Sequence, residues 1–147
     1  MEKNIKSRKE LLKIYDQVGD FSEGMALVYQ GGKSFHIYPD GSPAYKEKFD
    51  DVGPFFEGVA WVCNGSKWFH VYPDGSPAYK ERYNQVDSFL EGTSRVKKNG
   101  KEFHIRHDGK PAYKERFDAT ELFSDGVAWA MKDGKEFHIR PDGTIIN

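Results

Sequence analysis

The chain has 147 residues, which is enough for one domain with its own core. Its 22 Lys and Arg residues nearly balance its 23 Asp and Glu residues, and the formal net charge of -1 argues against a nucleic-acid binder, which normally shows a basic excess. Aromatic residues make up 15% of the chain, a share that disordered proteins lack. The composition therefore indicates a folded protein that binds no nucleic acid.

Residues 1–14 form a charged N-terminal segment without the apolar run of a signal peptide or a membrane span. Residues 9–14 align by period with residues 43–48 and so could form a closing strand, whereas Ser7 could cap a short helix. The single cysteine, Cys63, excludes an internal disulfide and is expected to be a solvent-accessible strand residue. We therefore expect a cytoplasmic protein without membrane contact.

The next predicted elements are short strands, and residues 49–82 show them best. Residues 59–63 are a β-rich run that ends at Asn64 and Gly65, a strong hairpin signal. Residues 67–72 alternate polar and apolar side chains until the Pro-Asp-Gly turn at 73–75, and residues 77–82 read as a polar outer strand with Tyr79 exposed. This pattern predicts four short antiparallel strands.

The same pattern recurs every 34 residues, without insertion or deletion. We predict four units at 15–48, 49–82, 83–116 and 117–147. Such strict spacing is typical of repeats that pack on one another in a constant way. The repeated histidines are His36, His70, His104 and His138.

The phrases "YDQVGDFSEGMALV", "FDDVGPFFEGVAWV" and "FDATELFSDGVAWA", each followed by a "GKEFHIRPDG"-like stretch, resemble the bacterial WG repeats, also called KWG repeats. The resemblance covers residues 15–143. In place of the Trp-Gly that names the family, this chain has Phe-His in every unit. The resemblance implies an all-β repeat domain and carries no common activity.

The sequence favours a small four-bladed β-propeller, in which residues 9–14 supply the strand that the last unit lacks beside Ile145 and Ile146. An open spiral of β-hairpins is the alternative. Open arrays normally have polar terminal repeats, and here Phe21 and Phe137 keep the apolar pattern at both ends. The fold class is all-β in either case.

The repeated histidine fits a structural role better than a chemical one. In a strand such as 68–72 the side chain of His70 points away from Phe69, onto a face that neighbouring units bury. Its nitrogens then need partners, and polar residues of the same period are available. A metal ring or a catalytic set is disfavoured, because repetition spreads like groups around a circle. We predict an inter-repeat clip formed by His36, His70, His104, His138, Asp16, Asp50, Asn84 and Asp118.

Function is expected at positions where the copies differ. One strand position carries Leu27, Trp61, Arg95 and Trp129 in the four units. Trp61, Arg95 and Trp129 are therefore the candidate contacts with a ligand or partner.

These features predict a non-enzymatic scaffold that binds a protein or peptide. No catalytic residue, metal or cofactor is predicted, because no set of unlike reactive groups converges. The alternative is a lectin-like binder of carbohydrate or small molecules, with pockets between units and tryptophans as stacking platforms.

Overall fold

The computed structural model describes residues 4–146 and shows an all-β repeat protein. Its strands form four antiparallel sheets of three or four strands, one for each predicted unit, and a short helix precedes the first sheet. The elements are α1 (Arg8–Leu11), β1 (Gln17–Ser22), β2 (Met25–Gln30), β3 (Lys33–Ile37), β4 (Asp51–Val52), β5 (Ala60–Asn64), β6 (Lys67–Val71), β7 (Gln85–Val86), β8 (Ser94–Lys98), β9 (Lys101–Ile105), β10 (Ala119–Thr120), β11 (Ala128–Lys132), β12 (Lys135–Ile139) and β13 (Ile145–Ile146).

Each sheet is built around a hairpin whose turn the sequence specifies. In the second unit β5 pairs with β6, from Ala60 opposite Val71 to Asn64 opposite Lys67. Gly65 has a φ of +60° in the turn, a conformation that glycine adopts without a Cβ clash. The short strand β4 pairs with the other edge of β5 and completes the regular part of the unit.

The predicted fourth strand is irregular in the first three units. In the second unit it meets β6 through an isolated bridge of Val71 with Pro77, and Trp68 of β6 bridges Tyr83, the first residue of the third unit. Proline has no N–H to give to a ladder, and the segment bends between the two bridges. We call residues 43–48, 77–82 and 111–116 the fourth segments. In the last unit the corresponding residues, Ile145 and Ile146, pair with β12 as β13.

The structure overturns two expectations about exposure. The tyrosines Tyr45, Tyr79 and Tyr113 are buried, each 7% exposed, because the bend turns them inward despite their charged neighbours. Cys63 is also buried, at 7% exposure, and burial raises the pKa of its thiol. The prediction of a solvent-accessible cysteine is therefore wrong.

The Pro-Asp-Gly turn of each unit packs on the unit before it. Asp74 accepts hydrogen bonds from the backbone N–H of Ser76 at 3.0 Å and from its hydroxyl at 2.6 Å, which fixes the turn. Gly75 has a φ of +84°, and a Cβ there would lie 2.7 Å from Cγ of Tyr45 in the preceding unit. Repetition of such contacts gives a large buried apolar core that extends from Leu11 to Ile139.

The N-terminal segment adopts the helical alternative over its described residues. Ser7 Oγ accepts from the backbone N–H of Glu10 at 3.1 Å, and the Glu10 carboxylate accepts from the N–H of Ser7 at 2.8 Å. This capping box starts α1, and Leu11 packs against Gly41. The predicted pairing of residues 9–14 beside Ile145 and Ile146 is wrong. Among the described residues, no sheet combines strands of the first and fourth units. Residues 1–3 of the predicted segment lie outside the described residues.

None of the helical structure in residues 4–146 is long or apolar enough to cross a membrane.

Candidate functional site

An apolar groove runs along the Phe-x-Glu-Gly turns of the second and third units to Leu122, which precedes the Phe-Ser-Asp-Gly turn of the fourth unit, and we call it the rim groove. Its volume is about 370 Å³. Three of its side chains are large, apolar and well exposed: Phe56 at 45%, Leu90 at 48% and Leu122 at 40%. The lining residues are Phe56, Trp61, Asp87, Ser88, Phe89, Leu90, Arg95 and Leu122.

The turn geometry explains why Phe56 and Leu90 face solvent. Each directly follows a phenylalanine that points into the core, Phe55 and Phe89, at 0% and 2% exposure. Successive side chains on extended backbone point to opposite sides, so the second residue of each pair points outward. Neither large side chain is needed by the turn itself, because the same position holds serine in the first and last units.

Trp61 lies at the edge of the rim groove and is half-buried. It stacks on Trp68 with ring centroids 5.0 Å apart and an interplanar angle of 29°. Its indole also covers Gly53, where an added Cβ would lie 2.0 Å from Nε1. Glycine at position 53 is therefore what admits a tryptophan at position 61.

In the third unit, Asp87 and Arg95 occupy the positions of Gly53 and Trp61 and form an ion pair. Arg95 Nε lies 2.7 Å from Asp87 Oδ2, and both side chains are about one-third exposed or less. Arg95 Nη1 also donates to the carbonyl of Thr120 at 3.1 Å, in the fourth unit. Arg95 thus lines the rim groove and at the same time joins two units.

Trp129 does not belong to the rim groove. It lies on β11 opposite His138, where it is half-buried. Of the three candidate contacts, the structure brings Trp61 and Arg95 together and leaves Trp129 apart.

The repeated histidine forms a joint between adjacent units. His70 Nδ1 lies 2.6 Å from the hydroxyl of Tyr79 in its own unit, and Nε2 lies 2.8 Å from the carbonyl of Asp87 in the next unit. His36 and His104 repeat both contacts at the same distances.

The joint fixes the protonation state of the imidazole. A carbonyl can only accept, so Nε2–H of His70 donates to the carbonyl of Asp87, and Nδ1 accepts from the hydroxyl of Tyr79. Each of these rings also packs on a phenylalanine of the next unit, with centroids 4.6 Å apart for His70 and Phe89. Burial lowers the pKa of His36, His70 and His104 to about 4. The three rings are therefore neutral and have no free nitrogen.

The predicted carboxylate partners of the histidines are wrong. Asp50 Oδ2 instead accepts from the backbone N–H of Gly65 at 2.7 Å, within the hairpin of its own unit. The side chain that follows the first aromatic of a unit thus binds the hairpin turn. Asp16, Asn84 and Asp118 make the equivalent bonds in their hairpins.

A second joint between units was not predicted. The carboxylate of Glu23 accepts from the backbone N–H groups of Glu57 and Gly58 in the next unit, at 2.8 and 2.9 Å. Glu91 binds Asp125 and Gly126 in the same way. An acidic residue recurs before glycine every 34 residues, which is visible in the sequence. The same pattern is equally typical of a tight turn, so it did not predict a joint between units.

Among residues 4–146, His138 has no such joint, and it is exposed, unlike its three equivalents at 0%. Within residues 4–146 no three His, Cys, Asp or Glu side chains come together to hold a metal. The histidines therefore serve packing between units wherever a following unit exists.

The family described as "WG containing repeat" matches residues 6–33, 44–68, 80–101 and 105–135, together more than half of the chain. The chain belongs to the WG repeat family. In this WG repeat protein the four matches follow the four sheets, and the predicted family is confirmed.

A search of curated proteins finds no match for this WG repeat protein. Among solved structures it is similar to a β-propeller-like repeat protein described as "KlHsv2 with loop 6CD replaced by a Gly-Ser linker". The TM-score is 0.62 at 10% sequence identity, over 88% of this chain and 51% of that chain. The chain thus spans about half the length of the structure it matches, and the likeness establishes a propeller-like arrangement of units.

Proposed function

We propose that this WG repeat protein is a non-enzymatic interaction module that binds a peptide segment with apolar anchor side chains in the rim groove. The observation that carries the proposal is the row of exposed Phe56, Leu90 and Leu122 on three consecutive units. The largest contiguous apolar patches on the surface of a monomeric protein are often functional and mark interaction sites.

The charges around the rim groove favour an apolar ligand over a charged one. Asp87 and Arg95 neutralise each other at 2.7 Å, so neither offers an unpaired charge to a ligand. A peptide that inserts two apolar side chains would desolvate the groove without breaking that ion pair.

A carbohydrate is a weaker fit to the same residues. Sugar recognition by stacking needs an open aromatic face, and Trp61 already stacks on Trp68. Trp129, the second predicted platform, lies outside the groove.

Catalysis is disfavoured by the state of the histidines. Because His36, His70 and His104 are buried with both nitrogens hydrogen-bonded, they are not available as bases or nucleophiles. We also propose a cytoplasmic location, where the free thiol of Cys63 would stay reduced.

The proposal is tested by selecting peptides from a random display library against the purified protein. Affinity is then measured from the tryptophan fluorescence, since Trp61 borders the groove. Phe56→Ser and Leu90→Ser install the residue that Ser22 and Ser124 provide in the other units. We expect each to weaken binding by about tenfold or more without changing the unfolding midpoint.

Tyr72→Ser serves as the control, because Tyr72 is 46% exposed but lies outside the groove. The proposal fails if no peptide is enriched, or if both groove variants bind as tightly as the unmodified protein. Binding to a glycan array in the absence of peptide binding would support the carbohydrate alternative.

A further inference from the structure

A small polar pocket lies on the third sheet, on the face that carries His104, and we call it the sheet pocket. Its volume is about 100 Å³. Residues directly opposite one another on neighbouring strands share a face of the sheet, as Gln85, Lys97 and Glu102 do here. Arg95 lies two positions before Lys97 and therefore points to the same side. The lining residues are Gln85, Asp87, Arg95, Val96, Lys97 and Glu102.

The second unit fills the same place with aromatic side chains. There Trp61 and Trp68 stack on each other, and the indole of Trp61 covers Gly53. The third unit has, at the positions of Trp61, Trp68 and Gly53, the charged residues Arg95, Glu102 and Asp87. Arginine and glutamate are smaller than the two tryptophans and do not stack into a solid layer. The sheet pocket thus opens where the third unit departs from the second.

Three charged side chains of the sheet pocket are held in place by hydrogen bonds and an ion pair. Arg95 Nε lies 2.7 Å from Asp87 Oδ2, and Arg95 Nη1 donates to the carbonyl of Thr120 at 3.1 Å. Glu102 Oε1 accepts from the backbone N–H of Thr120 at 2.9 Å. Bonds to the fourth unit therefore fix two walls of the pocket, and fixed walls lower the entropic cost of binding a small molecule.

Other polar groups of the sheet pocket keep unused bonding capacity. Lys97 and Glu102 lie opposite each other on β8 and β9, where opposite charges normally pair. Within residues 4–146 these two form no ion pair, and the side chains of Lys97 and Gln85 form no hydrogen bond. One ammonium group, one amide and the second carboxylate oxygen of Glu102 therefore remain for a ligand.

The size of the sheet pocket limits the ligand to a compact molecule. A cavity of about 150 Å³ accepts benzene, and one water takes up about 30 Å³. A volume of about 100 Å³ thus holds about four to six non-hydrogen atoms. A sugar ring with its hydroxyl groups is larger than this, so the pocket is not a carbohydrate site.

We propose that the sheet pocket binds a small zwitterion of the α-amino acid class, with its carboxylate on Lys97 and its ammonium group on Glu102. Glycine and alanine match the volume, and the amide of Gln85 supplies a further hydrogen bond. Asp87 and Arg95 line both this pocket and the rim groove, and their ion pair separates the two cavities. The zwitterion site is therefore distinct from the apolar groove proposed for a peptide.

The proposal is tested by titrating the ¹⁵N-labelled protein with glycine and following the amide resonances by NMR. The backbone amide of Thr120 reports on the pocket directly, because it donates to Glu102. We expect saturable shifts at Thr120 and at the side-chain amide of Gln85. Acetate and methylammonium each lack one of the two charge-assisted bonds, so each should bind at least about tenfold more weakly than glycine.

Lys97→Met and Glu102→Gln each remove one of the two charges that the zwitterion needs. Methionine is the residue that Met131 provides at this position in the fourth unit, and glutamine keeps an oxygen that can accept from Thr120. Each variant should weaken glycine binding by about tenfold or more. Unchanged unfolding midpoints check that both variants keep the fold.

Glu136→Gln is the matched control, because Glu136 occupies the position of Glu102 one unit later and lies outside the sheet pocket. Phe56→Ser alters the rim groove and should also leave glycine binding unchanged, so the zwitterion site and peptide binding succeed or fail separately. The proposal is overturned if glycine gives no saturable shifts, or if acetate or methylammonium binds as tightly as glycine. Glycine binding that is equally tight in both pocket variants and in the unmodified protein would overturn it as well.

Discussion

At the scale of single residues, the histidine shows how the surroundings decide the role of a repeated side chain. His104 and His138 occupy the same position in consecutive units, yet the first is 0% exposed and the second lies in solvent. His104 has a hydroxyl partner in Tyr113 of its own unit and a carbonyl partner in Glu121 of the next unit. Both nitrogens of the neutral His104 imidazole are hydrogen-bonded, one to a hydroxyl and one to a carbonyl. The conspicuous histidine pattern therefore offers no free nitrogen for catalysis or metal binding.

Acid should destabilise the protein before carboxylates titrate. The folded pKa of about 4 for His36, His70 and His104 lies below the usual 6.5, so the unfolded chain binds more protons between these values. The stability that these groups contribute is present above pH 6.5 and is lost as the pH falls toward 4. Three such groups give a slope of up to about 4 kcal/mol per pH unit, from about 1.4 for each.

Denaturant titrations between pH 6.5 and 5 measure this slope. His70→Gln, which removes one of the three groups, should reduce it by about one-third. A free energy of unfolding that is constant over this range would contradict neutral, buried imidazoles.

The close approach at the Pro-Asp-Gly turn predicts different costs for two glycines with the same backbone conformation. Gly109 and Gly92 have φ values of +83° and +82°, but a Cβ on Gly109 would lie 2.4 Å from Tyr79, whereas none lies near Gly92. Gly92→Ala should cost about 1 kcal/mol from backbone strain alone. Gly109→Ala should cost at least about 1 to 3 kcal/mol more, from the displaced tyrosine. Equal unfolding midpoints for the two variants would show that the contact carries no energy.

At the scale of elements, the fourth segment is both the end of one unit and the support of the next. Its tyrosine binds the histidine of its own unit and packs on the turn glycine of the following unit. Helix α1 packs on the turn glycine of the first unit, although it is a helix and not an extended segment. Leu11 can take this packing role of the tyrosine because it needs no hydrogen-bond partner.

Two neighbouring leucines test whether α1 is a structural part of the array. Leu11 is 1% exposed and Leu12 is 48% exposed. Leu11→Ala should destabilise the protein by about 2 to 5 kcal/mol, since it opens a cavity over Gly41. Leu12→Ala should stay within about 0.5 kcal/mol. Chemical denaturation of both variants gives the comparison, and a neutral Leu11→Ala would mean that the helix only lies on the surface.

At the scale of the whole molecule, the strict period made the units, their hairpins and the family predictable. The period could not show which residues meet across a joint, because every equivalent residue recurs 34 positions later in the sequence regardless of what it contacts. Asp50 was equally compatible with a histidine and with a hairpin turn, and its local turn is the closer partner. Charged neighbours made Tyr79 look exposed, although a bend in the segment buries it.

The candidate site was predictable in part. Trp61 and Arg95 were found because they differ from their equivalents, and the structure places both on the rim groove. Phe56 and Leu90 also differ from their equivalents, because the first and last units have serine there. The sequence did not reveal that they are exposed, since their exposure depends on the turn that follows. Trp129 shares the sequence signal with Trp61 but does not line the rim groove.

A repeated joint of histidine on phenylalanine holds adjacent units together. A double-mutant cycle between His70→Ala and Phe89→Leu measures that joint, since the two rings lie 4.6 Å apart across the second and third units. Phe55→Leu is the matched control, because Phe55 occupies the same position one unit earlier and packs on His36. We predict a coupling free energy of about 1 kcal/mol or more for His70 with Phe89, and none for His70 with Phe55. Additive unfolding free energies for His70 and Phe89 would contradict the account.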